Sequence, residues 1–268
     1  MTKITLSKDL LEWLQDTGVD EIHQSTPQNY YQFIEETLKL PQKQVLPPPP
    51  PVSFPKVQLQ TTSELQESAQ KLAQSANTLE ELYAALAAYE GCALKKTATN
   101  LVFGDGNPHA KIMLIGEAPG ADEDRLGKPF VGLSGQLLDK MFSFINLTRA
   151  QNIYISNVIP WRPPGNRTPT PQETAQCLPF IQRHIELVKP ELLVMVGGTA
   201  VKALTGSQEG IVRLRGKWKP YQSSGMSSPI KSTAIFHPAY LLRSPGQKRE
   251  TWADLLNIKH TLTEMGHA

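Results

Sequence analysis

Ile112-Met-Leu-Ile115, followed by Gly116-Glu-Ala-Pro-Gly-Ala-Asp-Glu-Asp-Arg-Leu-Gly-Lys-Pro-Phe-Val-Gly132, is the stretch that decides the fold. Four consecutive apolar residues read as a strand buried on both faces. Ser134, a good N-cap, then opens a helical pattern that puts Leu137, Leu138, Met141 and Ile145 on one face. The glycine-rich stretch is therefore a loop leaving the carboxyl end of a strand. Open α/β sheets bind their ligands at such ends. Glycines and prolines shape its backbone, and it carries the carboxylates Glu117, Asp122, Glu123 and Asp124 with one large apolar residue, Phe130. That content suits something flat and polar.

Working outward, Ile153–Ser156, Leu192–Val196 and Ser232–Phe236 read as three more strands. Between them lie helical patterns. Thr78 with Glu81 is a capping-box pair, and so is Thr170 with Glu173, where Pro171 takes the favoured first helical position. The helix after Thr170 runs to about Val188 and carries Cys177, Phe180, Ile181 and Ile185. A Gly197-Gly198 turn feeds a short helix through Leu204, and a last helix spans about Arg249 to Met265. Asn100–Pro108 reads as a turn-rich loop. Strands alternating with helices define an α/β class with a largely parallel central sheet. The loops after Ile115, Ser156 and Phe236 should gather at the sheet's carboxyl edge.

The N-terminal part differs in composition. Ser7–Gln15 and Pro27–Leu38 read as short amphipathic helices. Pro47–Pro51, inside a stretch from Pro41 to Pro55, favours a polyproline II rod of about 15 Å. The expected organisation is a helical N-terminal extension over 1–40, a proline-rich linker over 41–62 and the main domain over 63–268. Residues 1–45 hold four Lys and seven Asp or Glu, so this part is acidic. From Ile211 to Arg249 there are eight Lys or Arg and no acid, which fits a phosphate-facing surface.

The chain has 268 residues, of which 40% are hydrophobic. No apolar run approaches the roughly 18 residues of a membrane span, and the first residues carry no signal-peptide core. Two cysteines do not make a secreted disulfide framework. These features predict a cytoplasmic protein with no membrane attachment.

Several chemical motifs fail on spacing. Gly116-x-x-x-Gly120 lacks the Gly-Lys-Ser/Thr end of a phosphate-binding loop. Gly132-Leu-Ser-Gly135 has the wrong spacing for a nucleophile elbow. The acids Asp122–Asp124 could hold Mg²⁺ as in a nuclease, but adjacent acids in such a loop are commonly just solvated. What remains is a carboxylate (Glu117), an aromatic ring (Phe130), an amide (Asn157) and an imidazole (His237) at three strand ends. An aromatic stacks a flat ring, and an amide reads donors and acceptors on its edge. An imidazole donates to an oxygen gaining charge, while a carboxylate orients water or faces a cation. Together they describe a pocket for a flipped-out nucleobase.

Over roughly residues 85–258 the chain resembles the family 4 uracil-DNA glycosylases. The resemblance rests on Gly116-Glu-Ala-Pro-Gly120 with Glu123-Asp124, and on Gly127-Lys-Pro-Phe-Val-Gly132. It continues through Asn157, Arg162-Pro-Pro-Gly-Asn-Arg167, Val212-Arg-Leu-Arg-Gly-Lys-Trp218 and His237-Pro-Ala-Tyr-Leu-Leu-Arg243. It implies a three-layer α/β/α fold around a central four-stranded, largely parallel sheet, and hydrolysis of the bond between uracil and deoxyribose. Glu117 and His237 are then the catalytic residues, and Ala118, Phe130, Asn157 and Glu123 belong with the substrate. Asn166, Arg167 and Arg243 belong with DNA, and Leu241 or Leu242 replaces the extruded base. The implied partner is uracil-containing DNA, met by a monomer; the sequence names no partner for the N-terminal extension. The alternative reading is a DNA- or lesion-binding protein of this fold without turnover, against which the intact Glu117, Asn157 and His237 argue.

The chain departs from the family at one place. Family 4 enzymes use four cysteines for a four-iron, four-sulfur cluster. Here Cys92 and Cys177 match, while Tyr89 and Trp161 stand at the other two positions. Two thiolates cannot assemble such a cluster. The expectation is no cofactor and no metal, with Tyr89 and Trp161 filling the site by aromatic packing and the cysteines left as core residues.

Overall fold

The computed structural model describes residues 62–267. The expected N-terminal helices and the proline-rich linker lie outside the described residues, except that the linker's last residue, Thr62, opens a helix. The helices are α1 (Thr62–Ser75), α2 (Leu79–Ala88), α3 (Ala121–Leu126), α4 (Leu133–Ser143), α5 (Pro171–Val188), α6 (Gly198–Thr205), α7 (Ile211–Leu214), α8 (Pro238–Arg243) and α9 (Lys248–Glu264). The strands are β1 (Asp105–Gly106), β2 (Ile112–Gly116), β3 (Ile153–Asn157), β4 (Leu192–Val196), β5 (Lys219–Tyr221) and β6 (Ile230–Ile235).

One sheet holds all six strands in the order β1-β3-β2-β4-β6-β5. The middle four are parallel, as their continuous apolar runs require. Two antiparallel edge strands, β1 and β5, are additions to the expected four. They are two and three residues long, contain Gly106 and Pro220, and carry no alternation for a sequence reading to find.

The pleat divides the core between two layers. Met113, Ile115, Leu193, Met195 and Ala234 face one side, where α1, α2, α5 and α6 supply Ala69, Leu82, Phe180, Ile185 and Val201. Ile112, Leu114, Leu192, Val194 and Ile235 face the other, against Leu138 and Phe142 of α4 and Leu255 and Ile258 of α9. This is the three-layer α/β/α arrangement. No helix among the described residues is long and apolar enough to cross a membrane.

Local signals behave as physical chemistry predicts. The Thr78 hydroxyl accepts from the Glu81 amide at 3.1 Å and starts α2. At α5 the capping box is reciprocal: Thr170 Oγ1 accepts from Glu173 N at 3.2 Å, and Glu173 Oε2 accepts from Thr170 N at 2.8 Å. Three expectations need correction. The stretch Gly116–Gly132 is not all loop, because α3 lies within it. The helix after it begins at Leu133 with Gly132 as N-cap, so that Ser134, the expected N-cap, lies inside its first turn. The segment Pro238–Arg243 is likewise a helix, α8, capped by His237, rather than a loop.

Candidate active site

Strand order turns at β2, whose neighbours are β3 and β4, so a crevice opens at its carboxyl end. Gly116 and Asn157 are register partners at the ends of β2 and β3. His237 follows the end of β6. A cleft of about 660 Å³ opens there, and nine of the expected residues line it: Glu117, Ala118, Glu123, Phe130, Asn157, Asn166, Arg167, His237 and Arg243.

The cleft floor is built by close approach. A Cβ on Gly116 would stand 2.4 Å from Asn157 Oδ1 and 2.5 Å from Phe130 Cζ. Only a glycine lets the amide and the ring meet there. Asn157 is 3% exposed, yet neither its Nδ2 nor its Oδ1 has a hydrogen-bond partner among the described residues. Leaving such an amide unpaired costs about 1–3 kcal/mol per group, so a buried amide of this kind is set for a ligand's edge. Beside it, the Phe130 ring lies 5.7 Å from the His237 ring, centroid to centroid, inclined by 31°.

His237 is also the N-cap of α8, where its Nδ1 accepts from the Ala239 amide at 3.1 Å. A neutral ring with Nδ1 accepting carries its proton on Nε2 and can donate from there. Burial, and then the Arg243 charge, push the His237 pKa down to about 4 against the opposing pull of Glu123. The group is a neutral donor near pH 7.

The acids of the opening loop do three different things. Asp122 is exposed and meets Arg125 at 3.2 Å. Asp124 is buried and accepts from the amides of Thr99 at 2.8 Å and Asn100 at 3.0 Å. Glu123 accepts from Gly120 N at 3.1 Å through Oε2, and from Val131 N and Gly132 N, both at 2.9 Å, through Oε1. It ties the start of α3 to the segment following Phe130. The expectation of a solvated cluster therefore holds only for Asp122. The other two carboxylates are engaged by backbone amides, which fold the loop.

Among the residues expected to meet DNA, the structure separates roles that the sequence could not. Leu241 is fully buried in the core beneath α8, whereas Leu242 is 45% exposed. Of the two, only Leu242 has a surface side chain to offer to a duplex. Arg167 forks onto Glu173 at 2.6 and 2.9 Å, and that guanidinium, first among several causes, holds the Glu173 carboxyl down at about 2. Asn166 Oδ1 accepts from Arg162 Nε at 2.7 Å. The basic segment is mixed in role: Arg215 makes two 2.8 Å bonds to Asp254 and one of 2.9 Å to Glu250, fixing α9. Arg213, Lys217, Arg243, Lys248 and Arg249 remain exposed. Pro163 and Tyr240 line the cleft as unremarked members of motifs, and so does Leu133, an exposed leucine with no sequence signal.

The four family cluster positions come together in one core. Tyr89, Cys92, Trp161 and Cys177 are each 3% exposed or less. Cys177 Sγ donates to Cys92 Sγ at 3.8 Å, and the Tyr89 hydroxyl donates to Leu65 O at 3.2 Å. Hydrogen bonding to Cys92 and complete burial push the Cys177 thiol up, and burial pushes the Tyr89 phenol up to about 12. Two buried thiols, a neutral phenol and an indole do not fit a cluster that needs four thiolates.

Fold and cleft together define a doubly wound α/β protein with a pocket for a flat, polar ring at its topological switch point. The family model described as the uracil DNA glycosylase superfamily matches residues 103–256. The chain is 38% identical to the type-4 uracil-DNA glycosylase of Archaeoglobus fulgidus over 183 residues, covering 68% of this chain and 92% of that protein. It is 40% identical to the type-4 enzyme of Thermotoga maritima over 154 residues, 57% of this chain and 77% of that one. A type-5 uracil-DNA glycosylase of Thermus thermophilus matches 38% of this chain and 52% of its own length, at 34% identity. The chain belongs to the uracil DNA glycosylase superfamily, on its type-4 branch.

Proposed function

We propose that this protein is a DNA-repair glycosylase that extrudes uracil from DNA and hydrolyses its N-glycosidic bond, leaving an abasic site. The observation that carries the reading is the buried Asn157 amide with both polar atoms unpartnered, set beside Phe130 in the cleft. Uracil offers an N–H donor beside a carbonyl acceptor on one edge, which is the complement of an amide oxygen and nitrogen. Phe130 stacks on the ring while Asn157 pairs with this edge.

The chemistry follows from charge. The bond between C1′ and uracil N1 breaks, and its electron pair leaves with the base. Water adds at C1′ and gives up one proton, and the departed uracil anion takes up a proton to become neutral uracil. Charge builds on the uracil O2 and on the sugar during this step. His237, a neutral Nε2 donor on a fixed backbone, meets the developing oxyanion. Glu117, half-buried on the cleft wall, faces the sugar cation or orients the water. Groups placed for charge that exists only in the transition state lower the barrier selectively, by roughly 3–4 kcal/mol each. Leu242 fills the space left by the base, and Arg243 meets phosphate.

The protein acts as a cytoplasmic monomer on uracil-containing DNA and needs no iron–sulfur cluster or metal. The cleft is complete within one chain, and the donor set at Tyr89, Cys92, Trp161 and Cys177 supports the absence of a cluster. Alkali cleavage of a uracil-containing oligonucleotide after incubation with wild type, Glu117→Ala and His237→Ala tests the activity. Strand scission by wild type and large rate losses with retained DNA binding in both variants are expected. No scission by folded wild-type protein refutes the reading. Iron near four per chain in purified protein would refute the cluster-free site.

A further inference from the structure

Phe130 has a backbone φ of 54°, in the left-handed region that an aromatic residue seldom adopts. Such a conformation persists only where its surroundings impose it. On one flank Glu123 holds the amides of Val131 and Gly132. On the other flank the structure supplies a second device, outside the cleft and outside every motif of the sequence.

Arg149 lies in the turn between α4 and β3, with its side chain 15% exposed. Its Nη1 donates to the Pro129 carbonyl at 2.6 Å, and its Nη2 donates to the Phe130 carbonyl. Its Nε donates to Asp139 Oδ1 at 2.8 Å, and Nη1 lies 3.2 Å from Asp105 Oδ2. The two aspartates fix the plane of the guanidinium. In an extended chain successive carbonyls point to opposite sides; here two successive carbonyls converge on one guanidinium. The left-handed turn brings them together, and the guanidinium holds them. Gly135 completes the seat, since a Cβ there would stand 1.8 Å from the Phe130 oxygen.

We propose that Arg149 is a positioning residue for base excision: it clamps the Pro129–Phe130 backbone in the left-handed turn that places the Phe130 ring against the extruded base. The proposal rests on the reading of the cleft as a uracil pocket. A planar guanidinium with five donors can serve two carbonyls and two carboxylates together. A lysine ammonium at the same charge cannot reproduce that fork.

The test is a double-mutant cycle on single-turnover excision from a uracil-containing duplex, with wild type, Arg149→Lys, Phe130→Ala and the double variant. Affinity for a uracil-free duplex and hydrogen exchange of residues 129–132 are measured alongside. Arg149→Lys is expected to slow excision about 30- to 100-fold, with uracil-free binding within about twofold and faster exchange at 129–132. In the Phe130→Ala background the same change is expected to alter the rate less than about threefold, because Arg149 acts through Phe130. If Arg149→Lys does not fold, Asp139→Asn, which only loosens the guanidinium, is expected to slow excision about threefold to tenfold. A wild-type rate in the folded variants overturns the proposal. So does an undiminished Arg149 effect without the Phe130 ring, or unchanged exchange. Absence of uracil release by folded wild type overturns the underlying reading and the role in excision with it, whereas release by wild type with unaffected variants overturns only the role of Arg149.

Discussion

Replacing Gly116 by alanine places one methyl group between the two surfaces that are to recognise the base. The position is the last of β2 and its φ lies outside the left-handed region, so alanine meets no backbone strain. The effect is steric alone. The new Cβ would stand 2.4 Å from Asn157 Oδ1 and 2.5 Å from Phe130 Cζ. Ordinary contacts are about 3.5–4.0 Å, so the amide, the ring or the strand end must move by about 1 Å or more. Overpacking of this kind costs about 1–3 kcal/mol of stability, a fall of roughly 2–10 °C in Tm for a domain of this size. A displacement of about 1 Å at reacting groups costs about 10² in rate. Gly116→Ala should therefore remain folded while its single-turnover excision falls about a hundredfold. A melting curve and a quenched-flow gel assay on the same preparation measure both effects. A rate within threefold of wild type, with an unchanged Tm, would refute the claim that ring and amide form one close-set pocket.

Other consequences follow from the same geometry. Leu242→Ala should slow excision from duplex more than from single-stranded DNA, with unchanged stability; Leu241→Ala should instead cost about 2–5 kcal/mol in urea unfolding, because Leu241 is fully buried. Single-turnover excision should stay flat as pH falls through 6.5 and decline only towards about 4, where a proton on His237 Nδ1 would oppose the Ala239 amide; half-maximal rate near 6.5 would count against it. Stability should decline earlier. Burial lowers the pKa of His184 to about 3 and is the largest cause lowering that of His237 to about 4, so both histidines stay neutral when folded yet take up protons on unfolding below their ordinary 6.5. Their contribution is complete above 6.5 and is lost as pH falls towards those values. Asp254, whose carboxyl pKa burial raises to about 6, acts the other way, so urea titrations should show about 1–3 kcal/mol less stability at pH 5 than at pH 7, and equal values would contradict the burial argument.

The parallel strands were legible because each is buried on both faces and reads as an unbroken apolar run; Leu192–Val196 is delimited by its sequence alone. The start of α5 was legible because Thr170, Pro171 and Glu173 act within one turn. Features set by distant partners were not. Helix α1 is amphipathic, but it lies outside every motif and buries only small residues, Ala69 and Ala73. Helices α3 and α8 are six residues each and lie within motifs rich in glycine or proline. Glu117, Phe130, Asn157 and His237 could be gathered from strand ends, since topology places them. Which of Leu241 and Leu242 faces outward depends on the helical phase of α8, which adjacent leucines do not reveal. Asp124 and Glu123 read as solvated acids because their partners are backbone amides, which carry no side-chain signature. Arg149 was invisible for the same reason, its partners being two carbonyls and two aspartates distant in the chain.

The central claim is that the cleft releases uracil by pairing the Asn157 amide with the base. Its most direct test is mass-spectrometric measurement of free uracil released from a uracil-containing oligonucleotide by wild type and by Asn157→Leu, with EDTA present. The predicted result is stoichiometric uracil from wild type and a rate about 10²–10³ lower in the folded, DNA-binding variant. No free uracil from wild type, or equal rates from the two proteins, would contradict it.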